Sequence, residues 1–254
     1  MILRRFMKHV TDENWFVVGL EMVVVVLGII IGLQFSNWNE QRLELVKGQS
    51  YLNRIADELE QDIRFFNGVL RSNERSIENA QFLLETAENE DLVREDPTRF
   101  ITSIASVGAS IVVNVNNNTF EEIKFSGKLE IIEDEELRAQ IADYYDFIEI
   151  SQTFSHMRMD AETGYQNRYV GVLTPDQYSG AGRDVSYTEV DALLVYERFM
   201  QNLPLIDWLP VMIKTKRNTI SFSTRSQRRA EELLAKIRGE ELPEEEPASE
   251  QPSN

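Results

Sequence analysis

The sequence contains no cysteine and only two histidines among its 254 residues. Disulfide scaffolds, cysteine nucleophiles and cysteine-ligated metals are therefore excluded. His9 precedes a long apolar run and His156 follows it, so no two-histidine metal site is available beyond that run. We predict no cofactor, no metal and no enzymatic activity. Hydrolysis by carboxylates alone stays open, because 43 acidic residues make any single pair uninformative.

Basic residues are also scarce, with 26 Lys and Arg against 43 Asp and Glu, for a formal net charge of −17. This balance argues against nucleic-acid binding. Part of the negative charge lies in residues 240–254, which include several Glu and Pro residues and no basic residue. That composition predicts a disordered acidic tail, since such a segment has little apolar surface to bury.

One apolar run dominates the N-terminal part of the chain. Residues 15–35 carry a single charge, Glu21, and make roughly 31 Å of helix, which matches the roughly 30 Å hydrocarbon core of a bilayer. The run is longer than the apolar part of a cleaved signal peptide. It predicts an uncleaved transmembrane helix after a short N-terminus at 1–14, with Trp15 and Trp38 at the membrane interfaces.

Positive residues flank this run unequally. Arg4, Arg5 and Lys8 precede it, while Arg42 and Lys47 follow it closely. The positive-inside rule then favours a cytoplasmic N-terminus and a periplasmic domain, with the chain in a bacterial inner membrane. The absence of cysteine is compatible with either compartment.

A sustained helical pattern follows the apolar run. Apolar residues recur at steps of three and four over more than 30 residues: Leu52, Ile55, Leu59, Ile63, Phe66, Leu70, Ile77, Ala80, Leu84 and Ala87. We predict an all-α protein in which the transmembrane helix continues into a long amphipathic helix that packs in a helical bundle at 36–239. A homodimeric coiled coil along the same residues is the alternative.

Capping signals place the other helices. Thr119 with Glu122 predicts a helix start and Gly127 its exit; Asp134 and Thr188 each predict a further start. A last helix is expected from about Ser221 to Ile237, with Gly239 after it. Residues 111–115 could form a short strand, and 164–187, rich in Gly and Tyr, predict a long loop that is either a recognition surface or structural.

Two stretches resemble a bacterial family of single-span membrane proteins known as domain of unknown function 6090. The first is Gly-Ile-Ile-Ile-Gly-Leu-Gln-Phe-Ser-Asn-Trp-Asn-Glu at 28–40, whose membrane-exit motif is Gln34, Asn37, Trp38, Asn39 and Glu40. The second is the helix, glycine and helix pattern from Thr119 to Tyr145. Gly32 and Ser36 depart from the family's expected Ala and Asn. The resemblance implies a membrane-anchored helical protein and carries no activity.

The predicted transmembrane helix has one distinctive face. Glu21, Val25, Gly28 and Gly32 recur at steps of four, three and four, so a carboxyl group and two small residues share that face. Three interpretations are open: association with another helix, a lone protonated or snorkelling Glu21, and a part in an ion pathway.

A second feature is a run of positive charge near the C-terminal end. Residues 214–229 contain six cations and no acid: Lys214, Lys216, Arg217, Arg225, Arg228 and Arg229. They predict either a patch that binds anionic lipid or an acidic partner, or intramolecular pairing with acidic residues around 57–62.

These observations favour a membrane-anchored protein-interaction, scaffold or accessory subunit of the bacterial envelope, associated with the lipid bilayer. Its expected partners are a second copy of the chain or another membrane protein. The alternative is a ligand-sensing extracytoplasmic helical module that works with a partner output protein. No feature identifies a small-molecule ligand.

Overall fold

A computed structural model of the chain describes residues 15–109, 111, 115–180 and 185–240, without the side chains of 15–19, 21, 151–157, 179 and 180. The described part is helical, with a single isolated β-bridge between Val170 and Leu173. The prediction of an all-α fold is confirmed. Residues 1–14, the predicted tail beyond residue 240 and most of the possible strand at 111–115 lie outside the described residues.

The first helix joins the apolar run to the bundle without a break. Helix α1 spans Trp15–Glu88, 74 residues, and contains an 18-residue window apolar enough to cross a membrane, none of which is buried. The other elements follow in order: α2 (Asp91–Glu95), α3 (Pro97–Val107), α4 (Asn118–Phe125), a 3₁₀ turn (Leu129–Ile131), α5 (Glu135–Tyr169), α6 (Pro175–Gly180), α7 (Glu189–Met200), α8 (Leu203–Ile206) and α9 (Leu209–Arg238).

Helix α9 runs antiparallel to α1 and forms its most extensive contact. Met212, near the start of α9, lies in one apolar cluster with Leu83, while Leu233, near its end, lies in a second cluster with Ile55. The first cluster also contains α3, α7 and the end of α5; the second contains α4 and the start of α5. The second cluster is therefore the one nearer to the apolar run.

Several predicted helix ends are confirmed. Asp134 accepts a hydrogen bond from the backbone N–H of Leu137, and Thr188 forms a capping box with Asp191. Gly127 and Gly239 follow their helices with φ of 67°, the left-handed conformation that glycine adopts without strain.

The predicted cap at Thr119 is wrong. Helix α4 begins one residue earlier, and the Thr119 hydroxyl and N–H both donate to Glu58 of α1, at 2.7 and 3.2 Å. Glu122 accepts instead from Tyr51 and Arg54. Because residues of α1 accept from Thr119 and donate to Glu122, the local capping pattern is overridden by contacts distant in sequence.

The predicted loop at 164–187 is wrong over two stretches, because α5 continues to Tyr169 and α6 occupies Pro175–Gly180. Gly164 lies against the Trp208 ring, where a Cβ atom would come within 3.0 Å. The Arg168 guanidinium stacks on the same ring, 3.7 Å from its centroid. The glycine thus permits close packing inside a helix rather than ending it.

Helix α9 also starts earlier than predicted, at Leu209 rather than about Ser221. Its hydroxyl residues are tolerated because their side chains hydrogen-bond to carbonyl groups one turn back, as Thr219 does to Thr215 and Ser226 to Phe222. Ser223 and Ser226 are buried in the bundle.

Candidate functional site

The candidate site is the part of α1 that extends beyond the bundle. Every described side chain from residue 20 to 47 is exposed, a length of about 42 Å at the helical rise. The bundle begins at Gly48, which is buried against the backbone carbonyl group of Ile131. Residues 36–47, here called the stalk, therefore separate the predicted transmembrane segment from the bundle by roughly 18 Å.

The predicted association face of the apolar segment is open. A Cβ atom added at Gly28 or Gly32 would meet nothing within 4 Å, and the side chain of Val25 is 60% exposed. Glu21 lies in the same helix, but its side chain is outside the description. No other described element of the chain covers this face, so it is available to a second helix.

The predicted membrane-exit motif forms the start of the stalk. Its residues stay helical and exposed, and the Trp38 ring packs against Phe35 with the centroids 5.9 Å apart. Because the helix continues through the motif, any tilt of the apolar segment in a membrane is transmitted to the bundle. The interfacial role of Gln34, Asn37, Trp38, Asn39 and Glu40 stays a prediction.

The stalk is amphipathic, which the sequence analysis missed. Leu43, Leu45 and Val46 are each at least half exposed. Together with Trp38 they occupy one half of the circumference of α1, which also contains Asn39 and Arg42. The opposite side carries only polar residues: Asn37, Glu40, Gln41, Glu44 and Lys47. The sequence does show these apolar residues at helical spacing. They were missed because they directly precede the apolar stripe of the bundle and cannot be distinguished from its first turn by spacing alone.

The predicted basic patch is not one surface. Lys216 is 1% exposed, and its ammonium group donates to Glu162 Oε1 at 2.5 Å and to the Ala109 carbonyl oxygen at 2.6 Å. Its inclusion in the patch is therefore wrong. A partner 54 residues earlier in the chain compensates the buried charge.

The arginines of the stretch mostly contact neighbouring side chains. Phe147 of α5 and Phe222 of α9 stack with their centroids 5.2 Å apart. The Arg229 guanidinium lies 4.0 Å from the Phe147 ring centroid and that of Arg225 lies 5.6 Å from Phe222, while Arg228 pairs with Glu232 at 2.8 Å. Lys214 and Arg217 are exposed.

These contacts support the intramolecular interpretation of the basic stretch, with different partners from those expected. Glu60 pairs with Arg238 instead, and Glu58 and Asp62 accept from neutral donors.

Glu58 and Asp62 form a buried carboxylate pair on successive turns of α1. The Tyr144 hydroxyl donates to Asp62 at 2.9 Å, the Asn116 N–H donates at 3.3 Å, and the Tyr145 hydroxyl donates to Glu58 at 3.4 Å. The pKa of Asp62 is raised to about 6, mainly by burial and to a smaller extent by the neighbouring Glu58, against the lowering effect of the Tyr144 and Asn116 donors. Burial next to these carboxylates also raises the pKa of both tyrosines.

One groove lies between α5 and α9 and has a volume of about 680 Å³. It is lined by Gln140, Asp143, Tyr144, Arg229, Glu232, Leu233, Lys236 and Glu240. Charges of both signs line it, so its electrostatics select no class of ligand. Among the described residues, no group of three or more His, Asp or Glu side chains is arranged to hold a metal ion.

Comparison with known proteins adds no identification: no family model, no curated protein and no solved structure matches this chain. The resemblance to domain of unknown function 6090 therefore stays a prediction that rests on the residues quoted for it.

Proposed function

We propose that this chain is a single-pass protein of the bacterial inner membrane that acts as a protein-interaction or scaffold subunit of the envelope. Residues 15–35 cross the membrane, the N-terminus is cytoplasmic, and the bundle lies in the periplasm. The observation that carries the proposal is the exposed length of α1, which joins an apolar segment to a self-contained bundle through a continuous helix.

The bundle itself satisfies its buried polar groups internally. Among the described residues, Ser103 Oγ is the one buried side-chain nitrogen or oxygen atom without a hydrogen-bond partner. Buried Glu58, Asp62 and Lys216 all have partners within the chain. This arrangement suits a rigid body that is held at a set distance from the membrane, and it leaves the open face of α1 as the favoured binding surface.

Orientation is testable because the chain has no cysteine. A single cysteine at Ser50, which is exposed just beyond the stalk, should react with a membrane-impermeant maleimide on intact spheroplasts. Labelling that requires lysis would place the bundle in the cytoplasm and contradict the proposed topology.

Association is tested by purifying the full-length protein from native membranes in mild detergent and identifying the chains that accompany it. We expect a defined complex that Gly28→Leu disrupts, because the larger side chain prevents close helix approach. Val26→Leu, on the other side of the helix, is the matched control and should leave the complex intact. A monomer without accompanying chains would contradict the proposal.

A further inference from the structure

The open face of the apolar segment continues along the stalk. The steps of four and three that relate Val25, Gly28 and Gly32 lead on to Phe35, Asn39, Arg42 and Val46. Alternation of three and four is the spacing of a coiled-coil seam, in which the same side of each helix faces its partner. The seam therefore does not stop at the predicted membrane boundary.

The bundle leaves this seam uncovered. The next seam positions after Val46 are Gln49 and Asn53, which are exposed and hydrogen-bond to each other at 3.1 Å. The buried residues at the same level, Gly48 and Ile55, lie on another side of α1. A second helix can thus lie along residues 25–53, about 42 Å, without displacing any described part of the chain.

Apolar side chains flank the seam within the stalk. Trp38, Leu43 and Leu45 occupy the positions beside it, and their exposed fractions are 57, 53 and 50%. Within the stalk, Trp38, Leu43, Leu45 and Val46 together expose roughly 900 Å² for two copies. A specific protein interface buries more than roughly 1,000 Å², so the contact must extend into the apolar segment.

We propose that the partner on this seam is a second copy of the chain, packed in parallel from Val25 to Val46. The inference rests on the proposed membrane anchorage. Two copies anchored through the same segment are parallel and at equal height, so each seam residue meets its own equivalent. Lipid covers only the first turn of the stalk, because the stalk extends roughly 18 Å past the apolar segment and the interfacial layer of the bilayer is roughly 5–8 Å thick.

Two polar residues in the seam fit this arrangement. A lone Asn at such a position favours a parallel pair in one register, because its amide is satisfied by the equivalent Asn39. Arg42 has a long side chain whose stem packs while its guanidinium reaches water at the edge. Asn39 therefore favours one parallel register, and the two Arg42 guanidinium groups, which carry like charges, point apart at the edges of the pair.

Disulfide trapping in membranes tests the proposal on the full-length chain. With helix axes 8–10 Å apart and Cα atoms about 2.3 Å from each axis, seam Cα atoms of two copies lie roughly 5 Å apart and outer ones roughly 13 Å apart. A disulfide requires about 4.4–6.8 Å. The variants are Asn39→Cys and Val46→Cys in the seam, with Gln41→Cys and Glu44→Cys as exposed controls; stalk positions lie outside the bundle core, so none should prevent folding.

Two differently tagged copies are expressed together and oxidised in the membrane. We expect a crosslinked dimer that carries both tags for the seam variants, at least tenfold more abundant than for the controls. Equal crosslinking at all four positions would indicate collision and overturn the proposal. Crosslinks to a different chain would also overturn the proposed homodimer but would agree with the proposed interaction function. The absence of any complex would contradict both the homodimer and the interaction function.

Discussion

The contact between Gly48 and Ile131 determines where the stalk ends and the bundle begins, and a matched pair of substitutions tests it. Gly48 and Gly68 both lie inside α1. A Cβ atom at Gly68 would meet nothing within 4 Å, whereas one at Gly48 would overlap the Ile131 carbonyl oxygen and lie 3.4 Å from its carbon. Both substitutions by Ala gain the same helix propensity, about 1 kcal/mol.

We expect Gly68→Ala to raise the free energy of unfolding by about 1 kcal/mol. The free energy of unfolding of Gly48→Ala should be about 2 kcal/mol lower than that of Gly68→Ala. The new methyl group overlaps a backbone carbonyl group that cannot rotate away, and overpacking of this kind costs about 1–3 kcal/mol. For a bundle of this size the two melting temperatures should differ by roughly 4–8 °C.

The assay is thermal unfolding of the full-length protein in mild detergent, followed by circular dichroism at 222 nm. The difference between the two variants is the informative quantity, since helix propensity cancels in it. Equal stabilisation by both substitutions would refute the contact, and with it the 12-residue length of the stalk.

Three further predictions concern the bundle, each measured by urea unfolding. Because burial raises the pKa of Asp62 from 3.8 to about 6, the folded state binds this proton more tightly than the unfolded state does. The free energy of unfolding should therefore rise by up to about 3 kcal/mol as the pH falls from about 7 to 4. Asp62→Asn should flatten that rise, and an unchanged pH dependence in this variant would contradict the prediction. Lys216→Met should cost about 3–5 kcal/mol by leaving Glu162 buried without a cation, and adding Glu162→Leu should recover most of the loss. Thr188→Ala should cost about 1 kcal/mol through loss of the α7 cap, and no loss would show that the cap is dispensable.

Local signals predicted the parts of the fold that local physics determines. The apolar stripe of α1, the caps at Asp134 and Thr188 and the left-handed glycines at 127 and 239 each depend on a few neighbouring residues. The all-α class follows from them, since long periodic helices leave few residues for strands.

Contacts between distant residues account for the errors. Gly48 and Gly68 carry the same local signal, and only the position of Ile131 distinguishes them. Gly164 was interpreted as a loop residue because its neighbour Trp208 lies 44 positions away in the sequence. Lys216 looked like a surface cation until its partner Glu162 was located.

One signal in the sequence was available and unused. Asp62 stands seven residues after Ile55 and seven before Val69, and both of these apolar residues are buried. A carboxylate in the middle of an apolar stripe predicts a buried polar cluster. Only the fold could supply its partners, Tyr144 and Asn116.

The central claim is that α1 serves as both the membrane anchor and the association surface. The most direct test is the mass of the wild-type full-length protein in mild detergent, measured by light scattering with the detergent contribution subtracted. We predict at least twice the chain mass of 29.4 kDa, in a complex of fixed stoichiometry across protein concentrations. A mass of 29.4 kDa at every concentration would contradict the claim.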